Sequence, residues 1–383
     1  MNKPKIYYVA NARMPNEKAH GIQIAKMTEA MVLSGADLKL IVPARKAQKK
    51  SMKEFYGLEV DVPLVKIPVI DTYTYGKLGF ALGSFAFMLA SLIYLLWKKL
   101  AGEKFIIYVI DMDLFSFLFL PMVGRPLFAE MHDKKPASFP SKILFNRAKG
   151  IIAINKIIKQ EIADTFNVSA DKIIVHPNGI DLNQFAIIAS SEEARKILNL
   201  PPDRRVALYS GRFYDWKGIE ILLEAARLMR KEIFIYCVGG SDGDLKEIIG
   251  NDKAIPPNLI CVGKKDYKEM PLWLRSADTL IVLGTKRNDY SYFHTSPMKL
   301  MEYMASGRPI IASRTPANQE IVSEKETFFY LPDDAGDLAR KITEALKNLV
   351  IAGEKVESAS AKVKELSWKK RADSVLHFIR DKV

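Results

Sequence analysis

The chain is poor in the residues that carry thiol and metal chemistry. Two cysteines and five histidines are spread over 383 residues. None of them stands at a metal-ligand spacing, so zinc sites and disulfide frameworks are excluded as organising features. Cys237 and Cys261 lie inside apolar runs and read as small buried hydrophobes of a reducing compartment. Neither G-x-x-x-x-G-K-[ST] nor G-x-G-x-x-G occurs, so kinase and dehydrogenase readings lack their phosphate loops. Internal repeats, low-complexity tracts and helix-turn-helix patterns are absent too. The apolar run at 6–10 is far too short for the core of a secretory signal, and the protein is expected to start in the cytoplasm.

What the chain does have is size, apolar content and positive charge. At 43.2 kDa, with 49% hydrophobic and 26% charged residues, it is globular and long enough for two domains. The formal charge is +13, and residues 1–190 hold about 25 Lys/Arg against 16 Asp/Glu, so most of the excess is N-terminal. Arg45, Lys46, Lys49, Lys50 and Lys53 form a basic cluster that reads either as a solvated loop or as a patch for phospholipid headgroups. No nucleic-acid motif accompanies this charge, and an anionic membrane surface is the expected partner. Residues 78–97 are almost wholly apolar, between Lys77 and Lys98–Lys99. Their length would suffice for a bilayer span, and Gly79 and Gly83 make a small-xxx-small pair. Strands predicted on either side, at 64–70 and 105–110, favour instead a helix packed on a sheet, with an apolar face left for lipid.

The densest pattern lies between 278 and 322. The apolar run 279–283 has the length of a buried strand. Ser296 and Pro297 read as N-cap and first residue of a helix over 298–306, Gly307 as the residue that closes it, and 309–312 as a second buried strand. Backbone N–H groups of Met298 and Lys299, with the helix dipole behind them, suit a phosphate. Glu302, one turn further in, is placed for the two hydroxyls of a ribose. An ordinary βαβ unit with a surface glutamate would carry the same residues.

In chain order, further strands are predicted at 5–10, 38–42, 126–130, 151–154 and 173–176, with helices over 22–34 and 156–166. Gly21 stands at the mouth of the first helix, where an α/β domain binds anions or where the chain packs closely. His132 follows the strand ending at Glu130, on the carboxyl edge where open α/β sheets bind ligands, unless it is a structural histidine. Asp111-Met112-Asp113 has the form of a metal-and-diphosphate DxD, but its place at a strand end predicts the cap of a helix over 114–122. Residues 187–203 read as a linker with a short helix. Strands at 206–210, 233–238 and 259–263 open the second half. Arg212 and Lys217 lie five residues apart across a strand-to-helix turn, so both cations can converge on one diphosphate. Gly211, Gly240 and Gly263 stand after three of these strands, at turns suited to close approach of a ligand. The stretches 335–349 and 356–383 are predicted helical, with Trp368, Val375, Phe378 and Ile379 as packing residues.

Three strings carry a resemblance: Pro177-Asn178-Gly179-Ile180-Asp181, Gly211-Arg212 with Trp216-Lys217-Gly218, and SPMKLMEYMASGRPIIAS over 296–313. Together they resemble the family 4 (group 1) retaining glycosyltransferases, and the resemblance covers nearly the whole chain. It implies an α/β GT-B fold of two Rossmann-like domains facing a central cleft. The first would be 1–183, joined by a C-terminal helix of about 369–383 that crosses back to it, and the second 184–368. It further implies transfer of a sugar from a UDP- or GDP-linked donor to a glycan or lipid-linked acceptor, with no metal or other cofactor. Arg212 and Lys217 would neutralise the leaving nucleotide. His132, matching the family's Glu-x-His-Asp pattern, would contact the transferred sugar. The donor would lie against Gly21, Gly211, Gly240, Gly263, Lys264, His294, Ser296, Met298, Lys299 and Glu302. Two departures stand out: His20–Gly21 replaces a Gly-Gly pair, and His294 replaces the first of two glutamates of which Glu302 is the second. The second departure leaves open a catalytically silent partner or regulator of the same fold; a sugar-nucleotide epimerase is the other alternative.

Overall fold

The computed structural model describes residues 5–45, 50–70, 72, 75–111, 113, 117–185 and 189–383. The chain divides into two compact units, Met1–Gly179 with Trp368–Val383, and Ile180–Ser367.

The first unit is built on seven parallel strands. They are β1 (Lys5–Val9), β2 (Asp37–Pro43), β3 (Leu64–Ile67), β4 (Ile106–Ile110), β5 (Leu127–Met131), β6 (Gly150–Ala153) and β7 (Ile173–Val175), in the order β3-β2-β1-β4-β5-β6-β7. Runs such as Ile6–Val9 and Ile106–Ile110 are apolar and buried throughout, because a parallel sheet is covered on both faces. The strand order reverses direction between β1 and β4, which makes the carboxyl ends of those strands the rim of a crevice. The helix Ala19–Leu33 buries Ile24, Met27 and Met31, and the last helix of the chain, Trp368–Lys382, packs against it. Val375, Phe378 and Ile379 seat that last helix, with Phe378 edge-on to Phe128 at 6.0 Å between ring centroids.

The apolar stretch forms one 25-residue helix, Gly76–Leu100. It connects β3 to β4, two parallel strands of the same sheet, so it runs alongside that sheet. Phe87, Leu92 and Leu95 enter the core of the unit from one face. The helix expected over 114–122 is not what the described part of that segment forms. Its residues 117–119 are turn, and a single 3-10 turn, Leu120–Val123, carries Pro121 without an N–H and stops at Gly124 with φ +66°. The remainder, 114–116, lies outside the described residues.

The second unit has six parallel strands: β8 (Arg205–Ser210), β9 (Ile233–Val238), β10 (Leu259–Gly263), β11 (Thr279–Val282), β12 (Ile310–Ser313) and β13 (Phe328–Tyr330), in the order β10-β9-β8-β11-β12-β13. Its direction reverses between β8 and β11. The three-residue β13 is too short to show periodicity and has no counterpart among the strands expected from sequence. Residues 189–203, read as a linker with a short helix, carry that helix but belong to the second unit. A capping box of Ser190 and Glu193 starts the helix Ser191–Ile197, and its buried Arg195 donates to Asp278 Oδ2 at 2.6 Å and to the Ser276 carbonyl at 2.9 Å. The C-terminal helical region is also broken where it was expected to be continuous. Ser367 is extended and bridges to Ile180, and Trp368 begins a new helix against Gly179, where any Cβ would strike the indole.

Candidate active site

In the second unit the carboxyl end of β8 and the helix Met298–Ala305 are tied together. Tyr303 Oη takes hydrogen bonds from Ser210 N at 2.8 Å and lies 2.9 Å from Ser210 Oγ. Lys299 Nζ donates to the Ser210 carbonyl at 2.5 Å and sits 4.5 Å from the centroid of the Tyr209 ring. Gly211 has φ +136°, a conformation that a side chain would strain, and a Cβ there would also meet that same ammonium. Gly239 packs directly on the backbone of Gly211, and Gly240 against the Phe213 ring, so the ends of β8 and β9 are held in contact.

Lys217 lies in the 3-10 turn Asp215–Lys217, which Gly218 closes with φ +72°. Its Nζ donates to the Arg212 carbonyl at 3.0 Å and stands 4.9 Å and 5.3 Å from the Tyr214 and Trp216 rings. Burial, followed by repulsion from Lys299 and Arg212, pushes Lys217 well below the ordinary lysine value. Burial also pulls Lys299 down to about 8. The first shift marks a place where positive charge is gathered, and the second a buried ammonium that Glu302 only partly supports.

Glu302 is almost fully buried on the same helix. Its Oε1 accepts from Tyr267 Oη at 2.9 Å. Burial raises its carboxyl to about 7, and the Tyr267 hydrogen bond and Lys299 only partly oppose that rise. Tyr267 lies in a short turn after β10, with its ring edge-on to Phe185 at 6.0 Å. Sequence reasoning singled out Glu302 and missed its partner, because nothing local in residues 264–269 marks Tyr267.

The remaining donor residues are placed less uniformly. Ser296 is buried but does not cap the helix. Pro297 occupies that position with no side-chain bond, since Ser296 lies one residue too early. His294 is buried at the end of the π-turn Tyr290–His294. Gly263 has φ +80° and open space beside its Cα, and Lys264 after it is exposed.

In the first unit His132 follows β5. Its Nε2 lies 2.7 Å from Glu130 Oε1, two residues back on the same face of the strand. Glu130 is fully buried. It takes Gln23 Nε2 at 2.8 Å, the Tyr108 hydroxyl and Arg371 Nη2 at 2.6 Å. Burial pushes this carboxyl up, but Arg371, His132 and Tyr108 together outweigh it and hold it at about 2. An ionised carboxylate only accepts, so Nε2 is the donor and the imidazole is fixed in orientation. Asp111 pairs with Lys135, and Asp113 accepts from Asn11 Nδ2 at 2.7 Å. Gly21 lies in the first turn of its helix, packed so closely on Asn16 and Tyr56 that a Cβ would overlap both. Of the basic cluster, Lys50 and Lys53 are exposed, whereas Arg45 is half-buried and donates to Asn11 Oδ1 at 2.8 Å, turned to the end of β1 rather than outward. Lys46 and Lys49 lie outside the described residues.

Against known proteins, the family model described as "Glycosyl transferases group 1" matches residues 190–366. An uncharacterized glycosyltransferase of Methanocaldococcus jannaschii is 26% identical over 237 residues, 60% of this chain and 57% of its own length. The phosphatidyl-myo-inositol mannosyltransferase of Mycobacterium tuberculosis is 23% identical over 277 residues, 68% of this chain and 69% of its own. The chain thus spans little more than half of the first of these relatives. Among solved structures, Anabaena HepE in complex with UDP and glucose superposes with a TM-score of 0.73 at 16% identity, over 99% of this chain and 100% of that one. On these grounds residues 190–366 are similar to the group 1 glycosyl transferases, and the chain has the GT-B architecture of two Rossmann-like units.

Proposed function

We propose that the protein moves a sugar from a nucleoside-diphosphate sugar, UDP- or GDP-linked, to a glycan or lipid-linked acceptor with retention of configuration. The setting would be polysaccharide or glycolipid synthesis at the cytoplasmic face of a membrane. The observation that carries this reading is the gathering of Arg212, Lys217 and Lys299 around the end of β8, with Glu302 one turn along the same helix as Lys299. Three cations suit a diphosphate, and a buried carboxylate suits a ribose diol. The relatives named for mannosyl transfer and for UDP and glucose support the same reading.

In the proposed reaction the bond from the anomeric carbon to the diphosphate oxygen breaks, and Arg212 and Lys217 take up the charge that develops on that oxygen without a metal. The acceptor hydroxyl forms the new bond on the same face of the sugar, and its proton passes to the departing phosphate oxygen. His132, oriented by Glu130, holds the transferred sugar.

Thermal unfolding with UDP and with GDP, no metal added, tests this on the wild type and on Lys217→Ala. A nucleotide at a hundred times its Kd stabilises by about 2.7 kcal/mol, a visible shift in midpoint. A shift with one nucleotide that Lys217→Ala abolishes is the expected result. No shift with either would overturn the donor reading and bring forward the silent partner that the replacement at His294 suggests.

A further inference from the structure

The helix Gly76–Leu100 has two faces of different fate. Phe87, Leu92 and Leu95 are in the core, while Leu78, Leu82, Phe85, Leu89, Ile93 and Trp97 form a stripe on the other side with exposures of 43–73%. Their spacing of three and four residues keeps them on one line, about 30 Å long at 1.5 Å per residue. From 78 to 97 this helix holds no charged residue. Water therefore meets an unbroken apolar ridge, longer than scattered surface hydrophobes account for.

The charges stand at its ends. Lys77 precedes the ridge and is exposed. Lys98 lies over the Trp97 ring at 4.2 Å, Lys99 donates to the Val123 carbonyl, and the exposed Lys104 follows. Glu103 is the acidic group facing this end. It is engaged by Lys5, Lys98 and Tyr7, which hold its carboxyl down at about 2. An apolar line bracketed by cations matches an interface that is apolar inside and anionic outside. A second copy of the chain would bring lysines against lysines at both ends, whether the two helices paired parallel or antiparallel.

We infer that this helix is a membrane-docking ridge, lying flat at the surface of an anionic bilayer with the stripe in the acyl boundary and the lysines at the phosphates. A span is incompatible with the fold, because β3 and β4 at its two ends are parallel strands of one sheet and its other face is core. The inference deepens the membrane location proposed above and does not require the transfer chemistry.

Two measurements test it on the full chain. In the first, sedimentation with vesicles of phosphatidylcholine and phosphatidylglycerol is compared for wild type and Leu82→Glu/Leu89→Glu, both exposed positions, with folding checked by circular dichroism. The partition coefficient should fall about tenfold or more in the variant, and in wild type on removing the anionic lipid. Equal partitioning of variant and wild type overturns the ridge. In the second, brominated lipids quench Trp97 in wild type and Leu89→Trp in a Trp97→Phe background. Equal shallow depths at both positions support a flat helix; a central position for 89 means a span and overturns it. A dimer in buffer that the double glutamate variant dissolves, with no vesicle binding, assigns the ridge to a second copy and also overturns it. Vesicle binding is read without nucleotide, so failure here leaves the UDP and GDP shifts of the donor test unaffected, and the reverse holds too.

Discussion

Arg371 Nη2 meets Glu130 Oε1 at 2.6 Å with both side chains fully buried, a link between the last helix of the chain and β5. Arg371 also donates from Nη1 to the Pro177 carbonyl at 2.9 Å, so one guanidinium fastens the C-terminal helix, the turn after β7 and the carboxylate that orients His132. Breaking a buried pair from one side leaves an uncompensated charge. Arg371→Met should therefore cost about 3–5 kcal/mol of stability in denaturant unfolding. The pH profile gives an independent reading. Glu130 is held at about 2, below its ordinary 4.5, so its contribution is fully present above 4.5 and is lost as pH falls toward 2. In Arg371→Met burial is no longer outweighed, and acid unfolding should begin at higher pH. An unchanged acid profile would count against the pair.

His132 itself bears little of the fold. It is partly exposed, and Glu130 keeps three other donors when the imidazole is removed. His132→Ala should leave the thermal midpoint nearly unchanged while kcat falls about a hundredfold, the scale expected when a reacting group loses its positioning partner. A variant that is as active as wild type removes His132 from the site.

The cations of the second unit should discriminate phosphate number. Lys217 and Lys299 are both pulled below the ordinary lysine value and donate to carbonyl and hydroxyl oxygens, so a second phosphate gains more from them than from surface lysines. Calorimetric titration of nucleoside diphosphate and monophosphate should show a preference for the diphosphate that drops about tenfold or more in Lys299→Met, the worth of one charge-assisted hydrogen bond. Equal losses of both ligands would point to damage of the helix rather than loss of a phosphate contact.

Sequence reasoning recovered what repeats locally and missed what tertiary packing assembles. Apolar runs such as 233–238 and 259–263 gave strands directly, because a parallel sheet buries every residue of a strand. Gly211, Arg212 and Lys217 were legible as a turn with two cations close in sequence. Glu130 carried a signal that went unused: two residues before His132 on a strand, it had to share its face. Arg371 and Tyr267 carried none, since their partners lie 241 and 35 residues away and neither stands in a local pattern. The segment read as a linker with a short helix does carry the helix Ser191–Ile197, but its place inside the second unit was not legible for a related reason. Arg195 is buried through contacts to residues 276 and 278 that no local window contains.

The pairing of Tyr267 with Glu302 predicts how donor binding depends on pH. Glu302 in the folded protein holds its proton up to about 7, above the ordinary 4.5, so the native state binds a proton that the unfolded chain has already released between those values. Its contribution to stability accordingly declines as pH rises from 4.5 through 7. Ribose hydroxyls, in contrast, donate best to the ionised carboxylate, so nucleotide affinity should rise over the same interval and level off above it. Tyr267→Phe removes the hydrogen bond that favours ionisation, and the midpoint of that rise should move to higher pH. Glu302→Gln should bind more weakly and show no rise near 7. Dissociation constants of one nucleotide from pH 5.5 to about 8.5, spanning the window set by burial of the carboxylate, distinguish these outcomes. A rise that survives unchanged in Glu302→Gln would belong to another group. Lys299, at about 8, is the other group of this site that titrates in the range. Its sign is opposite, since losing the ammonium's proton weakens the hold on phosphate, so a fall in affinity above 8 identifies the lysine and a rise through 7 identifies the glutamate.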